Sequence, residues 1–90
     1  MRTIILKLFP AHLRNPDLDI RYVLPDLLVE RSGGLIEDVG YDYEDGSDTL
    51  LIYLDTEDLD RALACINDLV EDTKVLGNDL KEGMEILVDS

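Results

Sequence analysis

Apolar and polar residues alternate at two different periods along this chain, and the two periods predict its secondary structure. A period of two marks a strand, because successive side chains point to opposite faces of a sheet, whereas steps of three and four mark a helix. Four stretches follow the strand pattern, at residues 3–9, 35–44, 49–54 and 84–88. Two stretches follow the helical pattern, and the predicted order of elements is β-α-β-β-α-β.

The first predicted helix follows the sequence Asn15-Pro16-Asp17, where Asn15 can cap a helix and Pro16 fits its first turn. Pro25 lies inside the helical stretch, where proline removes a backbone hydrogen bond and crowds the preceding turn. Two interpretations stay open: a kinked helix, or a short turn followed by a helix that starts near Pro25. Ser32-Gly33-Gly34 is then expected to end the helix, because glycine readily adopts a left-handed cap.

The second half of the chain carries a turn signal and a clear amphipathic helix. Asp45-Gly46, between the second and third strands, is a strong signal for a tight hairpin turn. The second helix opens at residues 55–58, where Asp55 or Thr56 can act as the cap. Its apolar stripe follows steps of three and four and consists of Leu59, Ala62, Leu63, Ile66, Leu69 and Val70.

These elements predict one α+β domain over residues 1–90. The expected architecture is a two-layer ferredoxin-like plait, in which two helices cover one face of a four-stranded antiparallel sheet. The first and third strands are expected at the centre of that sheet. Because this architecture hosts many unrelated functions, it does not assign one.

One face of such a sheet packs against the helices and the other is open, and strand alternation assigns side chains to each face. The helix side is predicted to hold Ile4, Leu6, Leu8, Val39, Tyr41, Tyr43, Leu50, Ile52 and Leu54. The open side is predicted to hold Ile5, Lys7, Phe9, Leu51, Tyr53 and Leu87, flanked by Asp38, Asp42 and Glu44. Large apolar groups on an open face indicate a cover, which could be a loop, a second copy of the chain or a foreign partner. A register slip of one residue would exchange the two faces.

Charge changes this picture, because 21 acidic residues outnumber 8 basic ones and give a net charge of −13. The segment from Glu37 to Asp60 contains ten acids and no lysine or arginine. Such a surface repels nucleic acids and anionic membranes and attracts basic proteins. The other interpretation is that the charge only keeps the protein soluble. A single cysteine and the lack of an apolar run long enough to span a membrane favour a cytoplasmic location.

Motifs that carry chemistry are few. His12 and Arg14 precede the first helix, where an anion could bind, but their loop lacks the glycines with which backbone amides cradle phosphate. The hairpin acids do not have the spacing of an EF-hand calcium loop, and one histidine with one cysteine does not make a zinc site. Cys65 lies beside the apolar stripe with no basic neighbour in sequence, so a packed thiol is predicted. We therefore predict no metal and no cofactor.

We expect a non-enzymatic acidic module that binds a basic protein, as small inhibitors such as bacterial immunity proteins do. Negative charge would steer the partner, and aromatic side chains would anchor it. The predicted contact residues are Phe9, Asp38, Asp42, Glu44, Asp45, Asp48, Leu51, Tyr53, Glu57 and Asp58. Two alternatives stay open: a dimeric regulatory or small-ligand-binding plait domain that pairs through its open face, and a small hydrolase that uses His12 and Arg14.

Overall fold

The computed structural model describes residues 1–13, 19–75 and 77–89 and contains an antiparallel sheet of four strands. The strands are β1 (Arg2–Leu8), β2 (Ile36–Tyr43), β3 (Leu50–Thr56) and β4 (Met84–Asp89). The helices are α1 (Ile20–Arg31), α2 (Leu59–Asp72) and the short α3 (Leu80–Gly83), and a 3-10 turn covers Pro10–His12. The strand order β2-β3-β1-β4 puts β1 and β3 at the centre. The predicted two-layer α+β plait is confirmed, and α3 is an addition that the sequence pattern did not predict.

The hydrophobic core lies between the sheet and the helices, and strict alternation in the two central strands builds it. The sheet contributes Ile4, Leu6, Leu8, Leu50, Ile52 and Leu54, each with at most 5% of its surface exposed. The helices contribute Ile20, Leu24 and Leu28 from α1 and Ala62, Ile66 and Leu69 from α2. Each large aliphatic side chain stabilises the fold by about 2 kcal/mol when it leaves water, before the entropy of ordering is subtracted. The predicted helix side of β1 and β3 is confirmed.

Strand β2 contains a bulge that the sequence pattern did not predict. Ile36 pairs with Thr56 in β3, and Gly40 pairs with Tyr53, but the register shifts between Asp38 and Gly40. One extra residue therefore lies in β2 at this point, as in a β-bulge. Gly40 has a φ of 128°, a backbone conformation that glycine adopts far more readily than residues with a Cβ atom.

The bulge corrects the predicted faces of β2. An uninterrupted strand would put Ile36 and Asp38 on the open side of the sheet, whereas Ile36 is fully buried in the core. Asp38 pairs with Leu54, which points towards the helices, so the prediction that Asp38 flanks the open face is wrong. Tyr41 and Tyr43, beyond the bulge, pair with helix-side residues of β3 as predicted.

Helix α1 runs without interruption from Ile20 to Arg31 and contains Pro25, which excludes a helix that starts at Pro25. Because proline has no amide hydrogen, the carbonyl of Arg21 loses its usual intrahelical donor. The start predicted at Asn15 and Pro16 lies outside the described residues. Within the described ranges, no helix is long and apolar enough to cross a membrane.

The predicted end of α1 is confirmed. Gly33 and Gly34 have φ values of 65° and 89°, which fits the left-handed conformation of a helix end. The amide of Gly34 donates to the carbonyl of Val29 at 3.0 Å. The Ser32 hydroxyl accepts from the amide of Ile36 at 3.1 Å, so the helix end also fixes the first residue of β2.

The cap of α2 lies further along the chain than predicted. The Asp58 side chain, rather than that of Asp55 or Thr56, caps the helix and accepts a hydrogen bond from the amide of Arg61 at 3.2 Å. Asp55 and Thr56 still belong to β3, where the Asp55 carboxylate accepts from the Thr3 hydroxyl at 2.7 Å. The Thr56 hydroxyl accepts from the amide of Asp58 at 3.2 Å and so positions the cap.

Replacing Gly40→Ala should lower the free energy of unfolding by about 1–3 kcal/mol, because a Cβ atom strains the backbone at a positive φ. Val39→Ala is the matched control, since Val39 is an exposed residue of the same bulge and its change should cost no more than about 0.5 kcal/mol. Urea unfolding measures both variants. Equal stabilities for Gly40→Ala and the wild type would contradict the prediction that a Cβ atom at position 40 strains the backbone.

Replacing Asp58→Ala should lower the free energy of unfolding by about 1 kcal/mol, because the first turn of α2 loses its side-chain acceptor. Asp60→Ala is the control: it also removes an acid from the first turn but leaves the cap in place. At physiological salt it should cost only about 0.3 kcal/mol through the helix dipole, because salt screens an exposed charge. Thermal or urea unfolding compares the two variants, and a cost for Asp60→Ala equal to or above that for Asp58→Ala would count against the cap.

Candidate functional site

The sheet face without helices consists of three rows of side chains that cross all four strands. Paired positions of antiparallel strands point to the same face, so the register defines each row. The middle row contains Gly40, Tyr53, Ile5 and Leu87. The row nearer the hairpin contains Asp42, Leu51, Lys7 and Glu85, and the row at the other end contains Glu37, Asp55, Thr3 and Asp89. We call this surface the open face.

Apolar side chains occupy the centre of the open face. Ile5, Leu51 and Tyr53 are half-buried, and Leu87 at the outer strand is 38% exposed. Phe9, just after β1, is also half-buried, and its ring centroid lies 5.7 Å from the Lys7 Nζ atom. The predicted positions of Ile5, Lys7, Leu51, Tyr53 and Leu87 on this face are confirmed by the strand register, and their role in binding stays a prediction.

Carboxylates border the apolar centre on both sides. The rows themselves carry Glu37, Asp42, Asp55, Glu85 and Asp89. Lys7 is the one base within the three rows, and its Nζ atom lies 3.0 Å from a carboxylate oxygen of Glu44. The only positive charge of the rows is therefore already paired, which leaves the face strongly negative.

The tip of the β2–β3 hairpin adds two exposed acids. The amide of Ser47 donates to the carbonyl of Glu44 at 3.1 Å, so Asp45 and Gly46 are the central residues of a turn, as predicted. Gly46 has a φ of 73°. Asp45 and Asp48 are both exposed at this tip.

The start of α2 lies at the opposite end of β3 from the hairpin. Glu57 is exposed and lines a groove together with Glu37 and Asp55. Strand β3 has seven residues, so the two acidic regions lie about 20 Å apart. The hairpin acids and the acids at the start of α2 thus bracket the open face rather than form one continuous patch. Asp58 among them has a structural role as the helix cap.

The predicted anion site before α1 is only partly described. His12 ends the 3-10 turn, is exposed, and makes an edge contact with Phe9, with 6.1 Å between ring centroids. Arg14 lies outside the described residues. In the part of the chain that the structure describes, no group of three or more histidine, cysteine or acidic side chains could hold a metal ion.

A cluster of one arginine and three tyrosines joins α1 to β2, and the sequence pattern did not predict it. The Arg21 guanidinium lies 4.8 Å from the ring centroid of Tyr22 and 5.2 Å from that of Tyr41. Its Nη1 atom donates to the Tyr43 hydroxyl at 3.3 Å. Tyr22 and Tyr41 contact each other edge to face, with 5.8 Å between centroids. The available signal was that Tyr41 and Tyr43 share a face of β2, but nothing in the sequence pointed to Arg21.

The hydroxyl groups of the cluster perturb each other. The hydrogen bond from Tyr41, and then the charge of Arg21, lower the pKa of Tyr22. The same hydrogen bond raises the pKa of Tyr41, because it is Tyr41 that would lose the shared proton. The hydrogen bond to Tyr43 is the largest cause that raises the pKa of Arg21. The cation–π contacts of Arg21 and its hydrogen bond to Tyr43 hold the β2 edge against α1.

No family model, curated protein or solved structure matches this chain at a significant level.

Cys65 lies in a groove between the two long helices. The groove is also lined by Arg31, Arg61 and Asp68. Burial raises the pKa of the Cys65 thiol, and the charge of Arg31 opposes this shift only in part. Folding thus brings arginines near Cys65, although no arginine is adjacent to it in sequence. The raised pKa still keeps the thiol protonated at neutral pH, and a protonated thiol is unsuited to nucleophilic attack.

Replacing Tyr41→Phe should raise the pKa of Tyr22 towards its ordinary value, because the variant loses the hydroxyl that donates to Tyr22. NMR titration of protein labelled with 13C at the tyrosine ring carbon that bears the oxygen follows each group separately. Tyr53→Phe, on the open face, is the control and should leave Tyr22 unchanged. An unchanged pKa of Tyr22 in the Tyr41→Phe variant would refute the shared hydrogen bond.

Proposed function

We propose that this protein is a non-enzymatic binding module that holds a basic protein partner on its open face, in the manner of an acidic inhibitor or immunity-type protein of the cytoplasm. One observation carries the proposal: carboxylates border an apolar centre that consists of Ile5, Leu51, Tyr53 and Leu87. An apolar centre with a charged rim is a common anatomy of protein interfaces.

The two parts of this surface would act at different stages of binding. The carboxylates would steer a positive partner and speed its encounter, an effect that weakens as salt screens the charges. Tyr53 and Phe9 are half-buried aromatic residues that would contact the partner closely and slow its dissociation. Acids at the hairpin and at the start of α2 would contact the two ends of the partner surface.

Charge also favours a basic partner over a second copy of this chain. Two open faces stacked on each other would bring rows of carboxylates together, and each copy carries a net charge of −13. Like charges that lose water without gaining a counter-charge oppose association. Lys7 offers little relief, since its ammonium group is already paired with Glu44.

Affinity capture with two matched variants tests the proposal. Asp42→Asn with Glu85→Gln removes two charges from the open face, whereas Asp60→Asn with Glu71→Gln removes two from exposed positions on α2. A basic protein captured from lysate of the source cells by the wild type is then purified and titrated by calorimetry. We expect the open-face variant to bind it about tenfold more weakly, and the α2 variant to bind like the wild type.

Equal weakening by both variants would indicate non-specific attraction by net charge and would contradict the proposal. Light scattering of the purified protein provides a second check at low and high salt. A stable dimer whose formation hides Tyr53 would favour the alternative of a dimeric regulatory or ligand-binding domain instead.

A further inference from the structure

The two edges of the sheet differ in how well they are protected against another strand. Strand β2 forms one edge and carries the bulge between Asp38 and Gly40. A bulge is one of the usual devices that prevent an edge from pairing with a further strand. Strand β4 forms the other edge and pairs with β1 over six consecutive residues without a register shift, so it is regular throughout.

The side chains of β4 alternate in a pattern that a further strand could match. Its open-face positions are Glu85, Leu87 and Asp89, because they pair with Lys7, Ile5 and Thr3. Its other positions are Met84, Ile86 and Val88. Leu87 and Val88 are 38% and 41% exposed, and no described strand pairs with the outer edge of β4. This edge is therefore regular in register, apolar at its centre and negative at its open-face ends.

We propose that the outer edge of β4 accepts an extended segment of the basic partner as a fifth strand of the sheet. The proposal rests on the proposed function and names the way in which the partner docks. Backbone hydrogen bonds would supply affinity, and alternate side chains would supply specificity. The segment carries lysine or arginine opposite Glu85 and Asp89 and an apolar residue opposite Leu87, and its intervening residues are apolar.

The negative charges of Glu85 and Asp89 favour a basic segment as the added strand. Opposite charges on directly paired residues of neighbouring strands stabilise a sheet, and like charges destabilise it. A second copy of the chain would bring another net charge of −13 to the same edge. The added strand would also extend the middle row of the open face beyond Leu87, so strand addition and contact with the open face use one continuous surface.

A short peptide tests the edge directly. The probe is the capped peptide Thr-Lys-Val-Ile-Val-Lys-Thr, whose lysines and isoleucine fall on one face. One control peptide has three consecutive N-methylated peptide bonds and cannot form the ladder, and a second control has glutamate in place of both lysines. Fluorescence anisotropy measures affinity, and NMR hydrogen exchange locates the site. We expect the probe to bind at least tenfold more tightly than either control and to slow amide exchange in β4.

Charge reversal on the protein provides the reciprocal test. The variant Glu85→Lys with Asp89→Lys should prefer the glutamate peptide, whereas Glu37→Lys with Asp42→Lys, which changes net charge equally on the opposite edge strand, should still prefer the lysine peptide. Urea unfolding checks that both variants fold. Equal affinity for the N-methylated peptide, slowed exchange in β2 instead of β4, or a dimer through β4 that excludes the probe would each overturn the proposal.

The same variants separate this inference from the proposed function. If a captured basic protein binds the wild type more tightly than both reversal variants but binds the Glu85→Lys, Asp89→Lys variant as tightly as the β2 variant, the β4 mode is wrong while basic-partner binding stands. If the lysine peptide adds to β4 but the open-face carboxylates do not affect any basic protein, the edge mode stands and the proposed function fails.

Discussion

The pairing of β1 with β3 is the contact on which both the core and the candidate binding surface depend. Seven residue pairs join these strands, and the alternate side chains of Ile4, Leu6, Leu8, Leu50, Ile52 and Leu54 are buried beneath the helices. Because successive side chains point to opposite faces, Ile5, Leu51 and Tyr53 lie on the other face of the sheet. A central strand pair that is apolar on both faces is typical of a sheet with covers on both sides, and here the described helices supply only one of them.

The acids around the open face set a condition on whatever covers it. A partner that removed water from Asp42, Asp55 or Glu85 without offering a positive charge would leave buried carboxylates uncompensated, at a cost that burial of the apolar row could not offset. The apolar centre makes contact favourable, and the charged rim restricts which surfaces can exploit it. Affinity and selectivity therefore come from different residues of the same face.

The sequence predicted those parts of the structure in which local pattern and tertiary packing agree. Alternation in β1 and β3 correctly separated the buried from the open side chains, and the glycines after α1 correctly marked its end. The bulge in β2 was missed because a period of two cannot reveal one extra residue. The predicted cap of α2, Asp55 or Thr56, was wrong because β3 continues through Thr56, which pairs with Arg2 and Ile36, so Asp58 is the residue that caps the helix. The Arg21 cluster was missed because it joins segments about twenty residues apart in sequence, and only the packing of α1 beside β2 creates it.

The bulge in β2 also affects how this chain can vary in length during evolution. Asp38 pairs with Leu54 and Gly40 pairs with Tyr53, and these two partners are consecutive in β3. The residue between Asp38 and Gly40 is therefore an extra residue in the ladder. A relative that lacked a residue at this position would keep every other strand pair unchanged, with Ile36 still in the core and Tyr41 still beside Arg21. Loss of a residue anywhere else in the strand would move the side chains of one half of it to the opposite face of the sheet. The fold should therefore tolerate a one-residue deletion at this point. In an alignment of relatives, such a gap would identify chains in which β2 has no bulge and forms a regular edge.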